Sequence, residues 1–185
     1  MRLKYLAFLL LSLNLFSQNP ELTEKDVAMR KKLEPVKAEI VFEKKTYKTL
    51  SFKALQDFKL TIEDPYYAEK EEIPKLQKDI PDKILKLNKK SVEIKGFMFP
   101  LYYTNDGDVE SFLLMPDQSS CCFGKFPYLN GLIFVQPDKP VKHLKDIPLQ
   151  VFGSFDVGAK ETAKDKVVTI YRIYANHVHK AKFKK

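Results

Sequence analysis

The stretch Ser91-Val92-Glu93-Ile94-Lys95-Gly96-Phe97-Met98-Phe99 carries apolar residues on alternate positions, with Val92 and Ile94 on one side of Gly96 and Phe97 and Phe99 on the other. Alternation at a period of two is the mark of a strand, and a glycine within it marks a bulge. Pro100 has no N–H to donate and argues against continuation as a central strand. Beyond it, Asn105-Asp106-Gly107-Asp108 is a turn signal, and Val109 to Met115 reads as a second strand. Leu132 to Gln136 is a third, and Pro148 to Phe155 a fourth with Gly153 as a second bend. In the fifth, Lys166 to Ala175, Val168, Ile170, Arg172 and Tyr174 alternate with Val167, Thr169, Tyr171 and Ile173. The link Pro137 to Asp146 has room for one helical turn. This pattern predicts a mainly β chain whose residues 81–185 form a small five-stranded OB-like barrel with a basic C-terminal tail. A small two-sheet sandwich is the competing architecture.

Upstream the pattern changes. Residues 1–17 have the form of a signal peptide: Arg2 and Lys4 precede an apolar run from Tyr5 to Phe16, and Ser17 is small enough for cleavage. A run of that length is too short to span a bilayer, which takes about 20 residues. An uncleaved N-terminal anchor is the alternative. No cysteine stands near the cleavage point to carry a lipid. Residues 18–80 read as a partly helical extension. Thr23 is placed to cap a helix through Leu33, stopped by Pro35, and Val36 to Leu50 offers one or two edge strands. Ser51 is placed to cap a short helix with Phe52, Leu55 and Phe58 on one side. From Ile62 to Pro81 the chain becomes a charged, proline-punctuated connector.

With 185 residues, 44% of them hydrophobic, the chain is long and apolar enough to bury a core. It is too apolar for a disordered protein, and 2 cysteines make no disulfide framework. Loss of residues 1–17 removes two cations and no acid, lowering the formal net charge from +8 to +6. Such a field suits anionic surfaces. The lysines are nevertheless intermixed with acids, as on an ordinary solvated face, apart from the tail Lys180, Lys182, Lys184 and Lys185. The expected location is periplasmic or secreted, soluble after cleavage, with no later transmembrane segment. That compartment argues against a nucleic-acid partner.

Between the second and third strands lies Ser119-Ser120-Cys121-Cys122-Phe123-Gly124-Lys125-Phe126-Pro127-Tyr128-Leu129-Asn130, a loop holding both cysteines side by side. Loops carried on a rigid sheet often hold function. Adjacent Cα atoms lie about 3.8 Å apart, short of the roughly 4.4–6.8 Å usual for a disulfide, so a vicinal bridge requires a strained and easily reduced ring.

Taken with Ile94 to Leu101 and Ser111 to Met115, this loop resembles an uncharacterised bacterial secreted family, a domain of unknown function. The likeness covers roughly residues 80 to 175. A branch of that family has Cys-x-His followed by prolines and an Asn; Cys121 and Asn130 match it, and Pro127 falls in the proline run. Phe123 stands where that branch has histidine, and Cys122 is extra. The family's occurrence beside ABC-type transporter components implies an accessory role in envelope transport, with a metal as a candidate cargo. Phe123 in place of that histidine counts against carrying over any metal site from the resemblance, unless Cys122 substitutes as the ligand.

Three chemistries compete for the loop. As a metal site, Cys121 and Cys122 would favour Zn(II) or Cu(I), completed by His143 in the link or by His177 and His179, which point to one side if extended. The reading preferred for His177 and His179 is a solvated polar tail, because Lys180 follows directly, and for His143 a surface residue. As a thiol-redox pair, the cysteines suit an oxidising compartment, but Lys125 is the only close cation to lower a thiol pKa. As a binding or structural module, Phe123, Gly124, Phe126, Pro127, Tyr128 and Asn130 would form a loop for a partner protein, with the cysteines buried as small apolar groups. No Gly-x-Ser-x-Gly, His-Glu-x-x-His or glycine-rich phosphate loop occurs, and no catalytic residue is assigned. The sequence therefore reads as an exported, non-enzymatic envelope accessory or binding protein.

Overall fold

A computed structural model describes residues 39–65, 68–117, 127–162 and 168–181. All of these fall within the unit Pro35–Lys185. The expected signal peptide, the Thr23 helix and the tail beyond Ala181 lie outside them.

Where one or two edge strands are expected, β1 (Glu39–Phe42) and β2 (Lys45–Thr49) form a hairpin at the sheet edge. Its turn residues Glu43 and Lys44 both take positive φ, 47° and 63°, the twist a two-residue hairpin needs. Ser51 caps α1 (Phe52–Leu55), its hydroxyl accepting from the Ala54 N–H at 3.2 Å. The charged stretch downstream is more than a connector. It contains α2 (Ile73–Asp79), opened by Pro74 in its first turn, and leads into α3 (Asp82–Leu85). Leu55, Leu76 and Ile84, from all three helices, join the hydrophobic core.

Five further strands follow among the described residues: β3 (Ser91–Tyr103), β4 (Val109–Met115), β5 (Ile133–Pro137), β6 (Leu149–Glu161) and β7 (Val168–Lys180). The sheet has seven strands in the order β1-β2-β3-β4-β5-β7-β6, and β6 also pairs with β3. The last five therefore close a ring. Only β5 and β7 run parallel within it. Val92, Ile94, Phe112, Leu114, Val151, Phe155, Ile170 and Ile173, from these strands, join the same hydrophobic core.

Two departures from the sequence expectation have clear causes. First, β3 continues through Pro100 to Tyr103. Past Gly96 the strand changes partner, from Leu149 of β6 to Met115 of β4, and from Phe97 onward it pairs with β4 alone among the described residues. A proline is tolerated where one edge lies open. Gly96 is thus the handover point and no bulge; a Cβ there would lie 2.6 Å from the Met115 carbonyl oxygen. Second, the link contains no helical turn. Val141 exchanges two backbone hydrogen bonds with Val109, at 2.7 and 3.0 Å, and straps the link to β4.

Gly153, expected as a bend, stands at a register shift between β6 and β7, with the extra residue, Asn176, on β7. A Cβ would lie 2.2 Å from the Tyr174 carbonyl oxygen and 2.8 Å from the Ala175 Cα, both rigid backbone atoms. Gly153→Ala is accordingly expected to lower unfolding free energy by about 1–3 kcal/mol in urea titration. A change within experimental error would show that the β6–β7 bulge relaxes freely.

Candidate functional site

The loop that carries the cysteines leaves β4 after Met115 and returns through a 3-10 turn, Leu129–Gly131. Cys121, Cys122, Phe123, Gly124 and Phe126 lie outside the described residues, so the structure supplies the frame of the motif. That frame is firmly held. The Leu129 N–H donates to the Glu63 carbonyl at 2.7 Å, and the buried Asn130 side-chain amide donates to the Phe58 carbonyl at 2.9 Å. Gly131 packs so close to Gln56 that a Cβ would meet its Nε2 at 2.3 Å.

The segment after α1 is itself hooked to the ring interior. Tyr171, fully buried on β7, donates its hydroxyl to the Leu55 carbonyl at 2.9 Å. Burial pushes the Tyr171 phenol far above its ordinary range, so it stays a neutral donor at any working pH. A continuous path thus runs from β7 through residues 55–58 to Asn130. The Asn130 amide, expected as a loop contact for a partner, is engaged in holding the loop's base. Pro127 is half-buried, whereas Tyr128 is 47% exposed.

The three histidines fall into two places. His143 sits in the link, its Nδ1 3.2 Å from the Tyr103 hydroxyl. His177 and His179 belong to β7, not to a solvated tail, because the strand continues to Lys180 against β6. As expected for extended backbone they share a side, with ring centroids 6.1 Å apart. Phe42 of the β1–β2 hairpin covers both, its ring 5.0 Å from His177 and 5.1 Å from His179, and stacks on Phe152 at 4.7 Å. His177 Nε2 lies 3.1 Å from a Glu43 carboxylate oxygen. An open cleft of about 380 Å³ runs beside this pair, between residues 137–141 and 175–179. Among the described residues no three of His, Cys, Asp and Glu gather into a set able to hold a metal ion. A cysteine–histidine ligand set would depend on Cys121 and Cys122.

Sequence reasoning missed a second polar centre. Asp156 of β6 and Arg172 of β7 are opposite one another in the ladder and only 3% and 5% exposed in their side chains. Arg172 Nε donates to Asp156 at 2.7 Å, Nη1 to the Thr169 carbonyl and hydroxyl at 3.0 Å each, and Nη2 to the Gly158 carbonyl at 2.6 Å. Lys89 and Lys160 reach the same carboxylate at 3.0 and 3.3 Å. Burial alone would push the Asp156 carboxyl up; hydrogen bonds from Arg172 and Lys89, with the Arg172 charge, outweigh it and hold the group at about 2. The one signal in the sequence is an arginine placed between Ile170 and Tyr174 in an otherwise core-forming alternation.

Comparison with known proteins gives a family without a chemistry. A family model described as a protein of unknown function (DUF3299) matches residues 23–180. No curated protein matches the chain. Among solved structures, the chain is similar to a DUF3299 family protein from Pseudomonas aeruginosa PAO1, at 18% identity and a TM-score of 0.51. That similarity covers 75% of this chain and 99% of the other. At such identity the likeness shows the fold alone.

Proposed function

The chain belongs to the DUF3299 family, and on that premise we propose that it is an exported, non-enzymatic binding protein of the cell envelope whose Cys121–Cys122 loop is the recognition element. The observation that carries this reading is the rigid base of the loop, where Leu129 and Asn130 are buried and hydrogen-bonded to residues 58–63. A binding loop gains affinity when its ends are fixed before the ligand arrives, because less conformational freedom is lost on association. The strand order supports an OB-like architecture for the ring, with the third and fifth ring strands, β5 and β7, paired in parallel. The loop then joins the second ring strand to the third. Export is supported by the Met1–Ser17 pattern. Among the described residues no helix is long and apolar enough to cross a membrane.

The ligand class proposed for the thiols is a thiophilic metal, Zn(II) or Cu(I), in service of a transport partner. Intact mass and bound-metal analysis of mature protein purified natively from its own compartment tests this. The expected result is a stoichiometric metal that is lost in Cys121→Ser. Metal-free protein lighter by two hydrogens would overturn the metal reading in favour of a vicinal disulfide and redox work. Metal-free protein with two free thiols would leave a protein-binding loop with packed cysteines.

A further inference from the structure

The buried Asp156–Arg172 pair has more positive charge around it than it needs. One carboxylate faces the Arg172 guanidinium and two ammonium groups, so the cluster carries a net charge of +2. The guanidinium is buried, and its three nitrogens all donate to protein acceptors. The ammoniums differ. The side chains of Lys89 and Lys160 are 68% and 58% exposed, yet each is tied to one oxygen of the same carboxylate. They therefore stand as neighbours at the surface, with donor protons left over, since an ammonium has three.

Neighbouring like charges repel, and the backbone holds them together nonetheless. Lys89 takes a left-handed φ of 62°, uncommon for a residue with a Cβ, in the turn that precedes β3. The turn is clamped on both sides: the Lys89 N–H donates to the Phe155 carbonyl at 2.7 Å, and the Phe155 N–H to the Lys90 carbonyl at 2.9 Å. Asn88 accepts from the Val157 N–H at 3.0 Å. The β6–β7 ladder beneath, with its register shift at Val157/Lys160, places Lys160 on the same carboxylate. Lys86 and Lys90 add two further exposed cations on the same turn.

We infer that Lys89 and Lys160, positioned over the Asp156–Arg172 pair, form a binding site for a phosphate-type oxyanion. An anionic phosphoryl group, monoester or diester, bridging the two ammoniums would relieve their repulsion and receive charge-assisted hydrogen bonds from both. The same chemistry is offered by a soluble phosphorylated molecule and by a phospholipid headgroup at the membrane surface. The site shares no residue with the cysteine loop and stands or falls independently of the metal reading.

The test uses mature full-length protein at low ionic strength, titrated with inorganic pyrophosphate by calorimetry. In parallel, it is sedimented with phosphatidylglycerol-containing or pure phosphatidylcholine vesicles. Lys89→Gln and Lys160→Gln are each expected to weaken binding by roughly tenfold or more. Lys89→Arg and Lys160→Arg should retain most of it, and Lys145→Gln, an exposed lysine elsewhere, should leave it unchanged. Pyrophosphate binding with this pattern supports the site and a soluble ligand. Binding only to phosphatidylglycerol vesicles, with the same pattern, supports it and identifies a headgroup. If neither probe binds, or if Lys145→Gln weakens binding as much as the site variants do, the proposal is overturned. Loss of folding in a Gln variant would show in its urea transition, and the Arg variants then decide: loss of binding by a folded Arg variant counts against the proposal and retention supports it.

Discussion

Asp156→Ala is expected to lower unfolding free energy by about 3–5 kcal/mol at pH 7, because it strands the Arg172 guanidinium inside the protein. Arg172 is 4% exposed and has no route to bulk water without breaking its bonds to Thr169 and Gly158. Lys89 and Lys160 would be released to solvent at little cost, being largely exposed already. The loss is thus concentrated in one buried charge. A double variant, Asp156→Leu with Arg172→Met, should recover most of the stability, since well-packed apolar residues often replace a buried ion pair without loss. Urea unfolding of the parent, the single variant and the double variant decides the matter. A single variant within about 1 kcal/mol of the parent would mean that water or movement of Arg172 relieves the charge.

The same pair makes stability depend on acid in a definite direction. The Asp156 carboxyl is held at about 2 in the folded chain against 3.8 as its ordinary value. A depressed carboxylate contributes stability that is complete above the unfolded value and is lost as pH falls through the folded one. That contribution is about 2 kcal/mol. The gap between the parent and Asp156→Ala should therefore narrow as pH falls from about 5 towards 2.

How far the sequence foretells this arrangement varies along the chain. Val109 to Met115 is legible to the residue, because its flanks are a glycine turn and a loop and its burial is almost unbroken. The ends of β6 and β7 are not. The sequence reading ends them at Phe155 and Ala175, whereas the strands run to Glu161 and Lys180. In β6 the buried Val157 and Ala159 carry the apolar alternation on past the single acid Asp156, while in β7 hydrophobic periodicity fades with Asn176, His177 and His179. The ladder continues because the polar residues find partners remote in sequence: Asp156 meets Arg172, and His177 meets Glu43 and Phe42. Closure of the ring likewise depends on β3 pairing with β6, as where Glu93 lies opposite Phe152, and no local pattern announces that contact. The cysteine motif is conspicuous as residue types. Its anchoring is not, since Asn130 bonds to a carbonyl 72 positions away.

Leu76→Ala should be the second severe substitution, costing about 2–5 kcal/mol. Glu69 to Pro81 carries acids, lysines and prolines, and its composition alone suggests a solvated connector. Yet Leu76 is fully buried at the middle of α2, which packs against β6 and β7. The helix is also tied by polar contacts at its C-terminal end. Gln77 accepts from the Ala159 N–H at 2.9 Å, next to Gly158 with its φ of 144°. Asp79 accepts from the Thr61 N–H at 2.6 Å and from its hydroxyl at 3.1 Å. With the C-terminal half of the helix tied down at Gln77 and Asp79, the space left by a truncated Leu76 is not readily closed by sliding the helix, and the penalty should fall in the upper half of the range. Lys75→Ala, one position away on the solvent face, should change stability by no more than about 0.5 kcal/mol. Equal small effects at both positions would show that α2 rests on the ring without sealing it, and that β3 to β7 hold their core unaided. A large loss at Leu76 alone would mean that the ring is a complete hydrophobic unit only with the charged segment upstream of it.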